Sequence, residues 1–403
     1  MTTIDHPKPS NIPIQSVPPV LTGKEGRRDA GRASFPFQRP SPPPPEKWLP
    51  YYQVARDAHY YSNFGPLHNL LCERLAAKYA RPGYGAVAVN NATAALTAVL
   101  IATEVSGKVV IPGFTFAATL HSVLMARCMP LVCDIDPKTW ELSLDDLEVM
   151  LDRDDEIGAV MPVRTFGFWQ DYVRLFEICG RRGVPVIVDA AAGLSDERLR
   201  GCIGSRFNQI EVISMHATKV FAVGEGGAIF APLPVLDKLR ASLNFGLAPD
   251  RSFADGFNWK MDELHCAVAL AMLDSIDEAV ARRQRLVSRY IAVARTSNLV
   301  GVHLNPGPCP WQFFPLLCRD REIAATLIHE LAMQGIQAKL YYYPSLATGY
   351  RGRHEIEGIS PKPTHAEDYS NRVVCLPVYS DVSEAEIGDL EASLLAAMAS
   401  LPS

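Results

Sequence analysis

The chain has no apolar run approaching the ~20 residues that a membrane-spanning helix needs, and its first residues lack the apolar core of a signal peptide. Both absences point to a cytoplasmic protein. Charge of one sign is not in large excess either: 39 Lys and Arg stand against 44 Asp and Glu, a formal net charge of −5. General affinity for nucleic acid or for an anionic membrane is therefore not expected. No Cys-x-x-Cys pair is present, and no His/Cys cluster has zinc spacing. The nine cysteines, an odd number, read as reduced core thiols rather than as metal ligands or a disulfide framework. No internal repeat is visible.

What is present describes an ordinary globular protein large enough for two domains, with 48% apolar and 21% charged residues in 403. Residues 1–46 are rich in Pro, Ser, Thr and charge and end in four consecutive prolines, Pro42–Pro45. Such a segment cannot build a core, and it is expected to be a disordered or extended arm, either a loose tail or one that wraps a partner subunit.

Beyond about Trp48, short apolar runs alternate with helical patterns. Strands are expected at 85–89, 108–112, 130–135, 159–163, 185–189, 212–215 and 227–230. Helices are expected between the first five, at 93–103, 116–127, 144–151 and 171–182. This alternation predicts an α/β fold with a mostly parallel sheet covered by helices on both faces. A long helix over about 262–296 leads into a smaller α/β segment with strands near 311–317 and 373–377 and helices near 322–334 and 383–399. The domain reading is a large domain over 47–270 and a small carboxyl-terminal domain over 271–403.

In open sheets of this kind, ligands bind at the carboxyl ends of the strands. Asp189 and Ser214 both fall at such ends, and Lys219 follows five residues after Ser214, just ahead of Gly-Glu-Gly-Gly at 224–227. A lysine, an acid at a strand end and a hydroxyl suit pyridoxal phosphate: the lysine for the aldehyde, the acid for the ring nitrogen, hydroxyl and amide groups for the phosphate. Each residue also has a plainer reading. Lys219 alone is a surface lysine and Asp189 alone a helix or loop cap. Asn91 or Thr93 is a simple helix cap and Phe116 a core aromatic. The run Asn90–Leu96, joining a strand to a helix, places backbone N–H groups where a phosphate binds.

Several ordered motifs resemble one family. They include Tyr-Ser-Asn-Phe-Gly-Pro (61–66), Asn-Ala-Thr-Ala-Ala-Leu (91–96), Phe-Thr-Phe-Ala-Ala-Thr (114–119) and Asp-Ile-Asp-Pro-Lys-Thr-Trp (134–140). They continue with Ser-Met-His-Ala-Thr-Lys (214–219), Gly-Phe-Asn-Trp-Lys-Met-Asp-Glu-Leu (256–264) and Cys-Leu-Pro-Val-Tyr (375–379). From about Tyr61 to Leu390 the chain is similar to the DegT/DnrJ/EryC1/StrS sugar aminotransferases, fold type I pyridoxal-phosphate enzymes.

The resemblance implies that Lys219 bonds to the cofactor and that Asp189 holds the pyridine nitrogen. It implies that Ser214, Thr93 and the Ala94 backbone hold the phosphate and that Phe116 lies over the ring. Asn258 matches an asparagine that reaches the neighbouring subunit's phosphate, so a homodimer with a shared active site is implied. The reaction implied is transfer of an amino group, usually from glutamate, to a keto group of a nucleotide-linked deoxy sugar. The chain departs from the family at Ala192, where Gln or His is common, at Arg164, where His is common, at Lys260, where Arg is common, and at 343–347, which lacks the usual His. Arg164, Lys260, Tyr343 and His216 are the candidate substrate-side residues, with a structural hydrogen-bonding role as the alternative for His216. Arg351, Arg353 and His354 form a basic loop suited to a diphosphate or to solvent alone. Two other functions remain open: a related sugar dehydratase, in which a His replaces the lysine, and a catalytically silent protein that retains the fold.

Overall fold

The computed structural model describes residues 34–193, 209–247, 254–303, 309–350, 357–358 and 364–402. Most of the expected arm, residues 1–33, and the basic loop at 351–354 lie outside the described residues.

Residues 34–44 run extended, but they are anchored. Phe35 and Phe37 are both 3% exposed, and Phe37 stacks on Phe313 with ring centroids 4.5 Å apart. Arg39 lies 4.1 Å over the Tyr379 ring and donates to Glu386 at 2.6 Å and to Asp381 at 3.0 Å. A helix, α1 (Pro45–Asp57), begins inside the proline run. Its first residue is a proline, whose fixed φ and missing N–H are tolerated in a first helical turn.

The central sheet is built from β1 (Tyr84–Val89), β2 (Lys108–Pro112), β3 (Met129–Cys133), β4 (Ile157–Val160), β5 (Ile187–Asp189), β6 (Ile210–Ser214) and β7 (Gly227–Pro232). The parallel pairs are β2/β3, β2/β4 and β5/β6. Strand β7 runs against both of its neighbours, β1 and β6. Backbone bridges Val160–Val186 and Val163–Asp189 join the two halves of the sheet. Strands this apolar are buried on both faces, which is why they read as continuous runs. One face packs on α3 (Ala92–Ala102) and carries Val87, Val89, Ile187, Val212 and Ile229. The other carries Ala86, Ala88, Val188, Ile213 and Phe230. It packs against α2 (Pro66–Tyr79), α5 (Leu144–Arg153), α6 (Val173–Gly180) and the first half of α8 (Glu263–Ala294).

The helix α8, 32 residues long, serves two cores. Cys266 to Val280 contribute to the first, and Leu286 to Ala294 to a second. That second core lies under an antiparallel sheet in the order β10 (Lys339–Leu340), β12 (Val373–Leu376), β9 (Phe314–Cys318), β8 (Val300–Val302). It is packed by α9 (Arg321–Met333) and α12 (Glu384–Ala399), and it takes in Phe114, Trp140, Phe166 and Phe168 from the loops at the strand ends of the first sheet. At the start of α8, Glu263 accepts from the backbone N–H of Leu67 at 2.7 Å and of His68 at 3.1 Å, so a carboxylate from α8 caps α2. The eight cysteines among the described residues are all buried and unbonded. Among the described residues no helix is long and apolar enough to cross a membrane.

Candidate active site

Strand register decides which side chains meet. In β5 and β6, Asp189 pairs with Val212 and Val188 with Glu211. Directly paired residues share a face and successive residues alternate, so Asp189, Val212 and Ser214 look to the α3 side while Glu211 looks away.

Asp189 is 4% exposed. Its Oδ2 accepts from the Thr119 hydroxyl at 2.7 Å and its Oδ1 from the Ala191 N–H at 3.0 Å. Burial raises its pKa, and the two hydrogen bonds and the charge of Lys219 pull it back. Its hydrogen-bonding partners are neutral. A buried carboxylate with only neutral donors is suited to a cation that arrives with a ligand.

Lys219 occupies a loop closed by the backbone bonds Met215 N to Gly226 O (2.8 Å), Ala217 N to Gly224 O (2.8 Å) and Lys219 N to His216 O (2.9 Å). Its Nζ donates to Gln312 Oε1 at 3.0 Å. Burial draws its pKa down to about 8, against the raising effect of Asp189. At pH 7 an amine with that pKa is about one-tenth neutral, against well under one part in a thousand at the ordinary lysine value, so the free amine that a nucleophile or proton carrier needs is within easy reach.

Ser214 ends β6, opposite Gly227. A Cβ on Gly227 would stand 3.0 Å from Ala92 N, so glycine lets the first turn of α3 come directly against Ser214's pairing partner. Thr93 is the second residue of that turn. The Ala94 N–H is occupied, because Asn91 Oδ1 accepts it at 2.8 Å as the helix cap. These residues fit pyridoxal phosphate: an unpaired buried acid for a protonated ring nitrogen, a lysine of lowered pKa, and a serine beside a helix start.

Phe116 is 58% exposed and precedes α4 (Ala117–Met125). It lines a cavity of about 480 Å³ together with Leu120, His121, Tyr342, Tyr343 and Tyr350. Tyr343 is 52% exposed at its rim. Asn258 is exposed and accepts from Lys260 Nζ at 2.6 Å, and Lys260 also lies 4.6 Å over the Phe245 ring. Ala192 is buried, and its carbonyl oxygen would be 2.3 Å from a Cβ on Gly167, whose φ is +87°.

Two of the candidate substrate residues are engaged within the fold. Arg164 is 6% exposed and pairs with Glu211 at 2.8 Å, on the sheet face away from Asp189. His216 Nδ1 lies 2.9 Å from the Thr218 hydroxyl and its Nε2 3.6 Å from Glu225 Oε1. Sequence reasoning did not single out Thr119 or Gln312. They touch Asp189 and Lys219 across 70 and 93 residues of chain, and no local pattern announces such contacts.

Comparison with known proteins gives a consistent result. The model of the DegT/DnrJ/EryC1/StrS aminotransferase family matches residues 50–394. The chain is 29% identical to a dTDP-4-amino-4,6-dideoxy-D-glucose transaminase of Shigella dysenteriae, over 86% of this chain and 94% of that one. It is 32% identical to a GDP-perosamine synthase of Caulobacter vibrioides, over 77% and 84%. Among solved structures, DesI, crystallised in the presence of its TDP-sugar product, superposes with a TM-score of 0.78 at 28% identity, covering 91% of this chain and 95% of that one.

Proposed function

The chain belongs to the DegT/DnrJ/EryC1/StrS aminotransferase family, and from that membership we propose that it is a pyridoxal-phosphate-dependent transaminase. It moves an amino group from an amino acid, glutamate, to a keto group of a nucleotide-linked deoxy sugar. The printed activities of the Shigella and Caulobacter relatives support the substrate class. The observation that carries the reading is the pair formed by Lys219, an amine of pKa about 8, and the buried Asp189 at the end of the adjacent strand.

Asp189 would hold the proton of the pyridine nitrogen, with Ser214, Thr93 and the first turn of α3 on the phosphate and Phe116 flanking the ring. When bound, the cofactor supplies an electron sink for the carbon bearing the transferred nitrogen. Lys219 does the proton work. Its neutral amine would take the proton from that carbon and deliver it to the carbon on the other side of the transferred nitrogen, and its lowered pKa allows both directions near neutral pH. Ala192 offers only a methyl group beside this set, so orientation of the ring falls to Asp189 and its partners.

We assign Lys260 and Tyr343 to the side that receives the sugar nucleotide: Tyr343 lines the cavity beside Phe116, and Lys260 brings a cation to Asn258. Arg164 and His216 are assigned to the scaffold, because each already has a partner within the fold, Glu211 for Arg164 and Thr218 for His216. The active unit is assigned as a homodimer in which Asn258 serves the neighbouring subunit's phosphate, consistent with its exposed position.

The test is the donor half-reaction. The visible spectrum of the purified protein with pyridoxal phosphate is recorded before and after glutamate. Conversion of the cofactor to its aminated form by the wild type, and its absence in Lys219→Ala, is the expected result. A bound cofactor that ignores glutamate and every other amino donor would overturn the reading in favour of a silent protein with this fold.

A further inference from the structure

Lys219 has a partner that the proposed chemistry does not by itself call for. Gln312 is 3% exposed, and its Oε1 lies 3.0 Å from Lys219 Nζ. A lysine ammonium has three donors and no acceptor, so the oxygen of the amide must face it. The segment that carries Gln312 is held from behind by Arg283 of α8. Arg283 donates to Trp311 O at 2.8 Å, to Gln312 O at 3.4 Å and to Ser380 Oγ at 2.8 Å. Trp311 itself sits at φ +55°, a left-handed conformation that a bulky residue adopts only when its surroundings impose it. On the other side, Phe313 is stacked against Phe37. The backbone that carries the amide is thus held by contacts from two distant parts of the chain, α8 and the segment at Phe37.

We propose that Gln312 is the positioning residue for Lys219, its amide oxygen receiving the lysine amine whenever that amine is not bonded to the cofactor. The inference rests on the transaminase reading above. During a transaminase cycle the lysine must leave the cofactor and stay within reach of the carbon whose proton it moves. A free lysine side chain has four flexible torsions and loses much of its rotamer freedom on being held. A fixed acceptor at hydrogen-bond distance keeps the amine in one place.

The acceptor is also neutral, and that matters. A carboxylate at the same distance would favour the ammonium form and hold the proton. An amide anchors the amine while leaving it able to exchange its proton near neutral pH. Asp189 acts on Lys219 through its charge, whereas the hydrogen bond goes to Gln312. Arg283 supports the arrangement through the backbone of residues 311–312 and need not touch the amine at all.

The experiment is read on the lysine of the full chain, stripped of cofactor. Competitive acylation with acetic anhydride across the neutral to alkaline range, followed on the Lys219 peptide by mass spectrometry, gives the titration of this one amine. Gln312→Glu places a carboxylate in reach, and the Lys219 midpoint is expected to rise by about one unit or more, an approximately tenfold loss of neutral amine at neutral pH. Gln312→Leu, of similar size, removes the acceptor, and the midpoint is expected to move the other way. In the single-turnover reaction of the cofactor-loaded protein with glutamate, Gln312→Leu is expected to lower the limiting rate about tenfold at unchanged half-saturating glutamate, and in Gln312→Glu the acid limb of the rate's pH profile should move up with the amine. Wild-type midpoints in both variants, or a lowered rate with weakened glutamate binding and an unmoved acid limb, would overturn the proposal. If instead the transaminase reading is what fails, the wild type will not convert glutamate, while the acylation shift in the variants will persist.

Discussion

Thr119 donates to Asp189 at 2.7 Å and is itself joined to the Thr115 hydroxyl at 2.8 Å, a short relay from the loop and helix after β2 to the acid at the end of β5. Since burial raises the Asp189 pKa, this bond is one of the few influences keeping the carboxylate ionised. Thr119→Val has nearly the same shape and removes it. A hydrogen bond to a charged group contributes about 1.5–3 kcal/mol, so affinity for pyridoxal phosphate should fall roughly tenfold to a hundredfold. Titration of the apoprotein by absorbance measures this, and unchanged affinity would show that Asp189 does not depend on the relay.

His68 predicts a pH dependence of stability. It is 0% exposed, its Nε2 lies 3.1 Å from Ala88 O, and burial lowers its pKa to about 4. Below about pH 6.5 the unfolded chain binds a proton that the folded chain refuses. Stability from this group is therefore complete above 6.5 and declines as the pH falls toward 4, by about 3 kcal/mol in all. His303 is lowered to about 4 as well. His68→Gln should therefore reduce the slope of the urea midpoint against pH in this window without abolishing it. A slope identical to the wild type would place the acid sensitivity elsewhere.

The buried pair Arg164–Glu211 predicts non-additive stabilities. Glu211 Oε1 also accepts from Gln209 at 2.7 Å, so removing Arg164 alone strands a buried carboxylate. Arg164→Met or Glu211→Leu singly should cost about 3–5 kcal/mol, while the double variant should recover most of the loss. The double variant should also keep the wild-type KM for the sugar nucleotide. A normally stable double variant with selectively weakened sugar binding would return Arg164 to the substrate side.

The sequence alone revealed the strands that end at the site, and the reason is physical. β2, β3, β5 and β6 are covered on both faces, so they stand out as short apolar runs bounded by polar turns. Asp189 and Ser214 stand at the ends of two such strands and Lys219 lies five residues beyond one, which is why the sequence draws attention to them. Helix α1 was hidden, because only Ala55 is fully buried in it, whereas α2 carries Leu67, Leu71, Leu75 and Tyr79 at helical spacing and was legible, though it follows a glycine–proline turn. The orientation of Arg164 was hidden too. Its charge is plain in the sequence, but which face of the sheet it meets depends on the pairing of Val188 with Glu211. Partners from distant segments, such as Thr119 and Gln312, become visible only when the chain is folded.

Helix α8 places Glu263 at the start of α2 and Arg283 behind Gln312, twenty residues later. At 1.5 Å per residue these two points are about 30 Å apart, and one helix fixes both their distance and their relative angle. The helix therefore acts as a ruler with a phase. A single residue inserted between Glu263 and Arg283 would lengthen it only slightly but would turn Arg283 by about 100° away from residues 311–312. Substitutions on its solvent face should be easy to accumulate, whereas changes in the number of residues along this stretch should not.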